Sequence, residues 1–325
     1  MGATVRNAES VASTETKREP RQGSVLDRIN PVALAVAGSG CTSATGVFVK
    51  LSGANTGTAA FLRCGLALFL LVPMAAAELR RIGPRARRLL GLDAAAGLLL
   101  GVDYVFWAAS IQHVGAGMAT VLLNIQVVAF PLLAWVFLGD RAPLRLLLAV
   151  PVMLAGVALT AGVFNPAGST GAVPDGDPWL GLAYGCAAGA TYAGYLFLSR
   201  LAGGQGHTVT PVCVSTAAAT LAAGVLGALW SGIDLASLDA RAWMWLALLA
   251  LTGQVLTWLL VGSALPRLPA STGAAILVLP PVLAVAMAAV FLGERVTPVQ
   301  LAGCVLVVLA IWLSQRRSPR SGQST

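Results

Sequence analysis

Phe137-Leu138-Gly139-Asp140-Arg141 returns 154 positions later as Phe291-Leu292-Gly293-Glu294-Arg295. At the same offset Val128, Ala134 and Val136 fall on Val282, Ala288 and Val290, Ala116 on Ala270, and Tyr104 on Trp258. One block of sequence is therefore present twice. Each motif closes an apolar run long enough to cross a bilayer, which takes about 20 residues. Working outward in windows of that length gives helices near 31–51, 57–77, 89–110, 114–138, 143–164, 179–199, 210–231, 242–263, 271–292 and 297–314. Helices 3–5 repeat as helices 8–10, and helices 1–2 are expected to repeat as helices 6–7. A unit of five spans is odd, so the second copy enters the membrane upside down.

Composition agrees with a chain that lives in lipid. It is 57% hydrophobic and 10% charged, with a mean hydropathy of +0.80. A soluble domain carries about 25% charged residues because it faces water. The expected fold is an all-α integral membrane protein with ten transmembrane helices. Residues 1–30 and 315–325 are polar and read as disordered tails. Residues 31–164 form the first copy, 165–178 a linker and 179–314 the second copy. No cleaved leader is read in the first 30 residues.

Basic residues give the orientation. With the N-terminus inside, the inner pieces hold Arg6, Lys17, Arg18, Arg21, Arg28, Arg80, Arg81, Arg85, Arg87, Arg88, Arg141, Arg145, Arg200, Arg267, Arg316, Arg317 and Arg320. The outer margins keep only Lys50, Arg241 and Arg295, and Arg63 lies within helix 2. Both termini are therefore expected in the cytoplasm, the 165–178 linker outside, and the chain in the cytoplasmic (inner) membrane. The net charge of +8 then belongs to inner loops rather than to a nucleic-acid footprint. Cys41, Cys64, Cys186, Cys213 and Cys304 all fall in predicted helices without metal-ligand spacing. His113 and His207 stand far apart, so no metal site is read. No phosphate-binding glycine loop is present, and no cofactor is expected.

The duplicated Phe-Leu-Gly-Asp/Glu-Arg motif, the Leu154-Ala155-Gly156-Val157 run, Phe48-Val49-Lys50 and Arg63 resemble the drug/metabolite transporter superfamily, in its ten-helix group with two EamA-type repeats. The likeness covers roughly 31–315. It implies a transporter of a small molecule such as an amino acid, nucleoside, purine, sugar, amine or drug. The chain departs from the family pattern at Thr42-Ser43, where Trp-Gly is usual, and at Val127, where the family has a proline. In the second copy that proline is Pro281, doubled by Pro280.

Polar residues deep in apolar helices mark the candidate pocket. Asp103 stands near the centre of helix 3, with Tyr104 adjacent and Trp107 one turn on. An acid beside aromatic rings suits an amine-bearing substrate or a coupling proton; pairing with Arg63 is the structural alternative. Asn124 and Gln126 lie midway along helix 4, and Gln254 shares a face of helix 8 with Trp258. Tyr192 on helix 6 is a further candidate. Asp103, Trp107, Asn124, Gln126, Gln254 and Trp258 are expected to line one midplane cavity between the inverted copies. Pro280 and Pro281 free carbonyls and suit a hinge. Lys50 and Arg63 suit an anionic group of the substrate, or a snorkelling role at the interface.

These residues point to a secondary transporter that moves a small polar metabolite by alternating access and is expected to export it. The expected partners are that substrate, membrane lipids and, as a candidate coupling ion, protons, in a monomer or homodimer. A membrane-embedded enzyme acting on a lipid-linked substrate would want clustered acids or a His/Asp pair. Asp175, Asp177, Asp234 and Asp239 instead lie in Gly- and Pro-rich loops and read as solvation. A non-transporting sensor would want a soluble output domain.

Overall fold

The computed structural model describes residues 29–139, 144–161, 163, 173, 176–203, 206–264, 268, 276 and 279–315. Those residues are helical, joined by short connections. Helices α1 (Pro31–Ser52), α2 (Thr56–Ile82) and α3 (Arg87–Val114) come first. Helix α4 (Ala116–Leu138) is broken by a 3₁₀ turn at Leu123–Ile125. Then follow α5 (Leu144–Thr160), α6 (Pro178–Ala202) and α7 (Val209–Trp230). Helix α8 runs as Ala240–Ala250, a π-helical turn Leu251–Leu256, and Thr257–Ala264. The last two are α9 (Leu279–Leu292) and α10 (Pro298–Gln315). The expected linker 165–178, the two tails and the start of predicted helix 9 fall wholly or largely outside the described residues.

Among the described residues, six helices are long and apolar enough to cross a membrane: α1, α2, α3, α4, α7 and α8. Shorter apolar helices lie at Leu148–Thr160, Leu279–Leu292 and Pro298–Leu313. Helix α6 has 25 residues, but its Gly, Thr and Tyr content lowers its hydropathy. Helices α2 and α3 outrun their apolar windows, because charged turns such as Glu78–Arg81 and Arg87–Arg88 remain helical beyond them.

Local chemistry sets the ends. Asn30, Asn55, Asp177 and Asp239 each accept backbone N–H groups at the starts of α1, α2, α6 and α8. Asp177 and Asp239, expected only to solvate loops, are thus helix caps. The motif glycines Gly139 and Gly293 follow α4 and α9 in left-handed conformation, with φ of 70° and 66°. That is why the duplicated sequence keeps glycine there.

The two copies make matching contacts. Helix α1 lies on α8 and α9 as α6 lies on α3 and α4, while α2 packs on α7 and α5 on α10. Missing side chains set the spacing. A Cβ on Gly57 would stand 2.6 Å from Gly227 Cα, and one on Gly156 would stand 3.0 Å from Gly303 O. Small residues let membrane helices approach this closely where apolar burial gives no preference for protein over lipid.

Polar pins hold one end of the bundle. The Glu78 carboxylate, at the end of α2, accepts the backbone N–H groups of Thr208, Val209 and Thr210 at the start of α7, and both threonine hydroxyls. Buried Arg85 forks onto Asp93 at 2.7 and 3.1 Å and donates to Ala202 O.

Candidate functional site

Midway along the bundle, α2, α3, α7 and α8 bring polar side chains into an apolar surround. Arg63 on α2 is buried, and its guanidinium lies over the rings of Tyr104 and Trp107 on α3, at 3.8 and 5.3 Å from the ring centres. Its Nη2 donates to Gly253 O at 3.5 Å. That carbonyl belongs to the π-helical turn of α8, a distortion that re-aims backbone groups and recurs at functional sites. Gly253 leaves room for the arginine: a Cβ there would stand 3.3 Å from Nη2.

The same π turn places Gln254, which is fully buried. Its Oε1 accepts from Tyr104 Oη at 2.7 Å, and its Nε2 donates to Thr216 Oγ1 on α7 at 2.9 Å. A side-chain amide in lipid requires such partners. Trp258 packs against the apolar cluster that contains Tyr104, with its ring 5.9 Å from that of Tyr195. Thus Tyr104 and Trp258, equivalent in the two copies, meet around one cluster.

Asp103 is 2% exposed. It lies within electrostatic reach of Arg63, Tyr104 and Tyr192. It forms no salt bridge with Arg63: the ion pair among the described residues is Arg85–Asp93. Three buried atoms around this guanidinium have no hydrogen-bond partner: Arg63 Nε, Trp107 Nε1 and Asp103 Oδ1. Two are donors and one is an acceptor. Buried polar atoms are usually paired, so three together call for an explanation.

The remaining expected residues have the following partners. Asn124 donates from Nδ2 to the carbonyls of Thr120 and Val121 in its own helix. Its 3₁₀ turn packs on α6, where a Cβ on Gly189 would stand 2.8 Å from Leu123 O and 3.4 Å from Gln126 N. Gln126 Oε1 is buried without a partner. No described hydrogen bond or ring contact joins Asn124 or Gln126 to the Arg63 group. Tyr192 is half-buried and stacks on Tyr195, 5.6 Å between centres. Pro281 is buried, and the Pro280 carbonyl accepts from Ser43 Oγ on α1 at 3.1 Å. Ser43 replaces part of the family's usual Trp-Gly, so the departure supplies the bond for the proline carbonyl. Lys50 stands at the end of α1, within electrostatic reach of Glu294.

Two participants carried little or no sequence signal. Thr216 is one threonine among several in α7. Glu294 was visible as a repeated motif, but nothing in the spacing said that its two oxygens accept from Ala116 N at 2.8 Å and Gly117 N at 3.2 Å.

The comparisons with known proteins bear on the family and the fold. The chain is 26% identical over 217 residues to the "uncharacterized transporter YcbK" of Bacillus subtilis (strain 168), spanning 66% of this chain and 68% of that one. A solved structure described only as a crystal structure of a protein shares the fold, with a TM-score of 0.53 and 16% identity over 87% of this chain and 96% of that one. The model of the EamA-like transporter family matches twice, at residues 30–162 and 179–315, once for each copy of the repeat. This multi-pass membrane chain belongs to the EamA-like transporter family.

Proposed function

We propose that the protein is a secondary transporter carrying a small zwitterion of the amino-acid type across the cytoplasmic membrane. Its ten crossings form two inverted five-helix copies, and it works by alternating access in the direction of export. The observation that carries the substrate class is the group of unpartnered buried atoms, Arg63 Nε, Trp107 Nε1 and Asp103 Oδ1. The two donors complement a carboxylate, and the acceptor complements an ammonium.

Charge balance favours the same class. Arg63 and Asp103 are neighbours of opposite sign, and a zwitterion adds one charge against each without burying a net charge. A simple amine is a poorer fit, since Arg63 already covers the rings of Tyr104 and Trp107. Tyr192 and Trp258 stand beside this group and offer apolar surface to a side chain. Asn124 and Gln126 belong to the wall between α4 and α6 in this reading. Inner loops rich in arginine support cytoplasmic termini.

Transport into proteoliposomes tests the proposal with three related probes. These are an α-amino acid, the amine left when its carboxyl is removed, and the acid left when its amino group is removed. The amino acid is moved fastest. Preference for the amine, or for the acid, contradicts the assignment. Repeating the assay with and without a proton gradient reads the coupling.

A further inference from the structure

The start of α4 is clasped by the other copy of the repeat. Glu294, in the connection between α9 and α10, is 7% exposed. Its Oε1 accepts from Ala116 N at 2.8 Å and its Oε2 from Gly117 N at 3.2 Å. Those N–H groups open a helix of 23 residues, where a carboxylate is favoured by charge and by hydrogen bonding. Half-buried Lys50, at the end of α1, adds its charge to the same spot.

The fit beneath the clasp is close. A Cβ on Gly46 of α1 would stand 3.2 Å from Ala116 Cβ, and one on Gly117 would stand 3.0 Å from Val285 Cα of α9. The described α9 carries no ionisable residue, and Arg295 is exposed. His113, near the end of α3, turns to α6, where its Nδ1 accepts from Asp177 N at 3.3 Å. Lys50 is the ionisable neighbour whose charge reaches Glu294. So α1, α4 and α9 meet at this end of the bundle with one acid joining the two copies.

We infer that Glu294, with Lys50 beside it, is a positioning residue for transport: its carboxylate bridges the α9–α10 connection to the start of α4 and holds this end of the bundle closed. The inference rests on the transporter reading above. It concerns which ends of the bundle can part, not which substrate binds. Opening this end separates Glu294 from α4, and water then serves the freed N–H groups and the carboxylate. While the end is closed, no other described side chain serves those two donors. A substitution that removes the oxygens therefore penalises the closed form and spares the open one.

The test is a distance measured between nitroxide labels at exposed Gln112 and Val299, by pulsed electron resonance on the full chain in nanodiscs. It needs no substrate, so it fails or succeeds independently of the transport assay. Glu294→Ala is expected to raise the ratio of longer to shorter distances about tenfold, as loss of a charge-assisted hydrogen bond would. Glu294→Gln, which turns one of the two accepting oxygens into a donor NH2 and removes the charge, is expected to fall between. If Glu294→Ala does not fold, Glu294→Gln alone carries the test. A folded variant with the wild-type distance distribution overturns the inference, even if its melting temperature falls, because a merely structural cap would lower stability without parting the helices.

Discussion

The guanidinium of Arg63 lies 3.8 Å from the centre of the Tyr104 ring. With its guanidinium on that ring, Arg63 keeps a buried Nε without a protein acceptor, the donor that the proposed function assigns to a substrate carboxylate. Arg63→Lys keeps the charge but loses the planar fork and the stacking. We expect it to weaken apparent substrate affinity roughly tenfold or more. Initial transport rates against substrate concentration would show it, and wild-type affinity would remove Arg63 from the site.

Tyr104 and Gln254 form the next link. Tyr104→Phe removes the hydroxyl that donates to Gln254 Oε1 at 2.7 Å. It leaves a fully buried acceptor without a partner. The expected cost is about 1–3 kcal/mol, read as a lower melting temperature in detergent. Adding Gln254→Leu and Thr216→Val to the Tyr104→Phe variant recovers part of that loss, since all three polar partners are then gone.

The outline of the fold was legible because lipid imposes it. Apolar windows located the helices, and the repeated Phe-Leu-Gly-Asp/Glu-Arg motif exposed the duplication. Its glycine has a conformational reason that a sequence can advertise. Asp103, Tyr104, Trp107, Gln254 and Trp258 stood out as polar or aromatic groups in apolar helices; Arg63 lies over Tyr104 and Trp107, Gln254 bonds to Tyr104, and Trp258 packs on the same cluster. The rest depended on helix rotation and on breaks in the helices. Asn124 turns its amide back to carbonyls of its own helix, and the 3₁₀ turn that carries it meets α6 at Gly189, which spacing alone could not say. The π turn that presents Gly253 and Gln254 has no counterpart in hydropathy. Nor could spacing reveal that the cation lying over Tyr104 and Trp107 belongs to the protein.

Close helix contacts give a sharp contrast between glycines. A Cβ on Gly97 would run into the backbone of Ser215, whereas one on Gly65 would meet only Thr220 Cγ2 at 3.7 Å. Gly97→Ala is expected to destabilise by about 1–3 kcal/mol or more. Gly65→Ala is expected to be neutral. Equal melting temperatures for the two variants would show that α3 and α7 are free to separate.

Glu78 supplies a comparable test at the opposite end of the bundle from Glu294. Glu78→Ala strips the start of α7 of its acceptor. It should cost about 1–2 kcal/mol, the range for loss of a helix N-terminal cap. Hydrogen exchange at Val209 and Thr210 should quicken while that in α5 stays unchanged.

Asp103→Asn bears most directly on the central claim. It preserves size and removes the charge proposed to meet an ammonium group. Competition by an α-amino acid and by its deaminated acid should be measured in the same proteoliposomes, with wild-type and variant protein. The account predicts that the variant loses affinity for the amino acid roughly tenfold or more while the deaminated acid competes at least as well as before. Wild-type discrimination between the two probes in a variant of wild-type stability would contradict it.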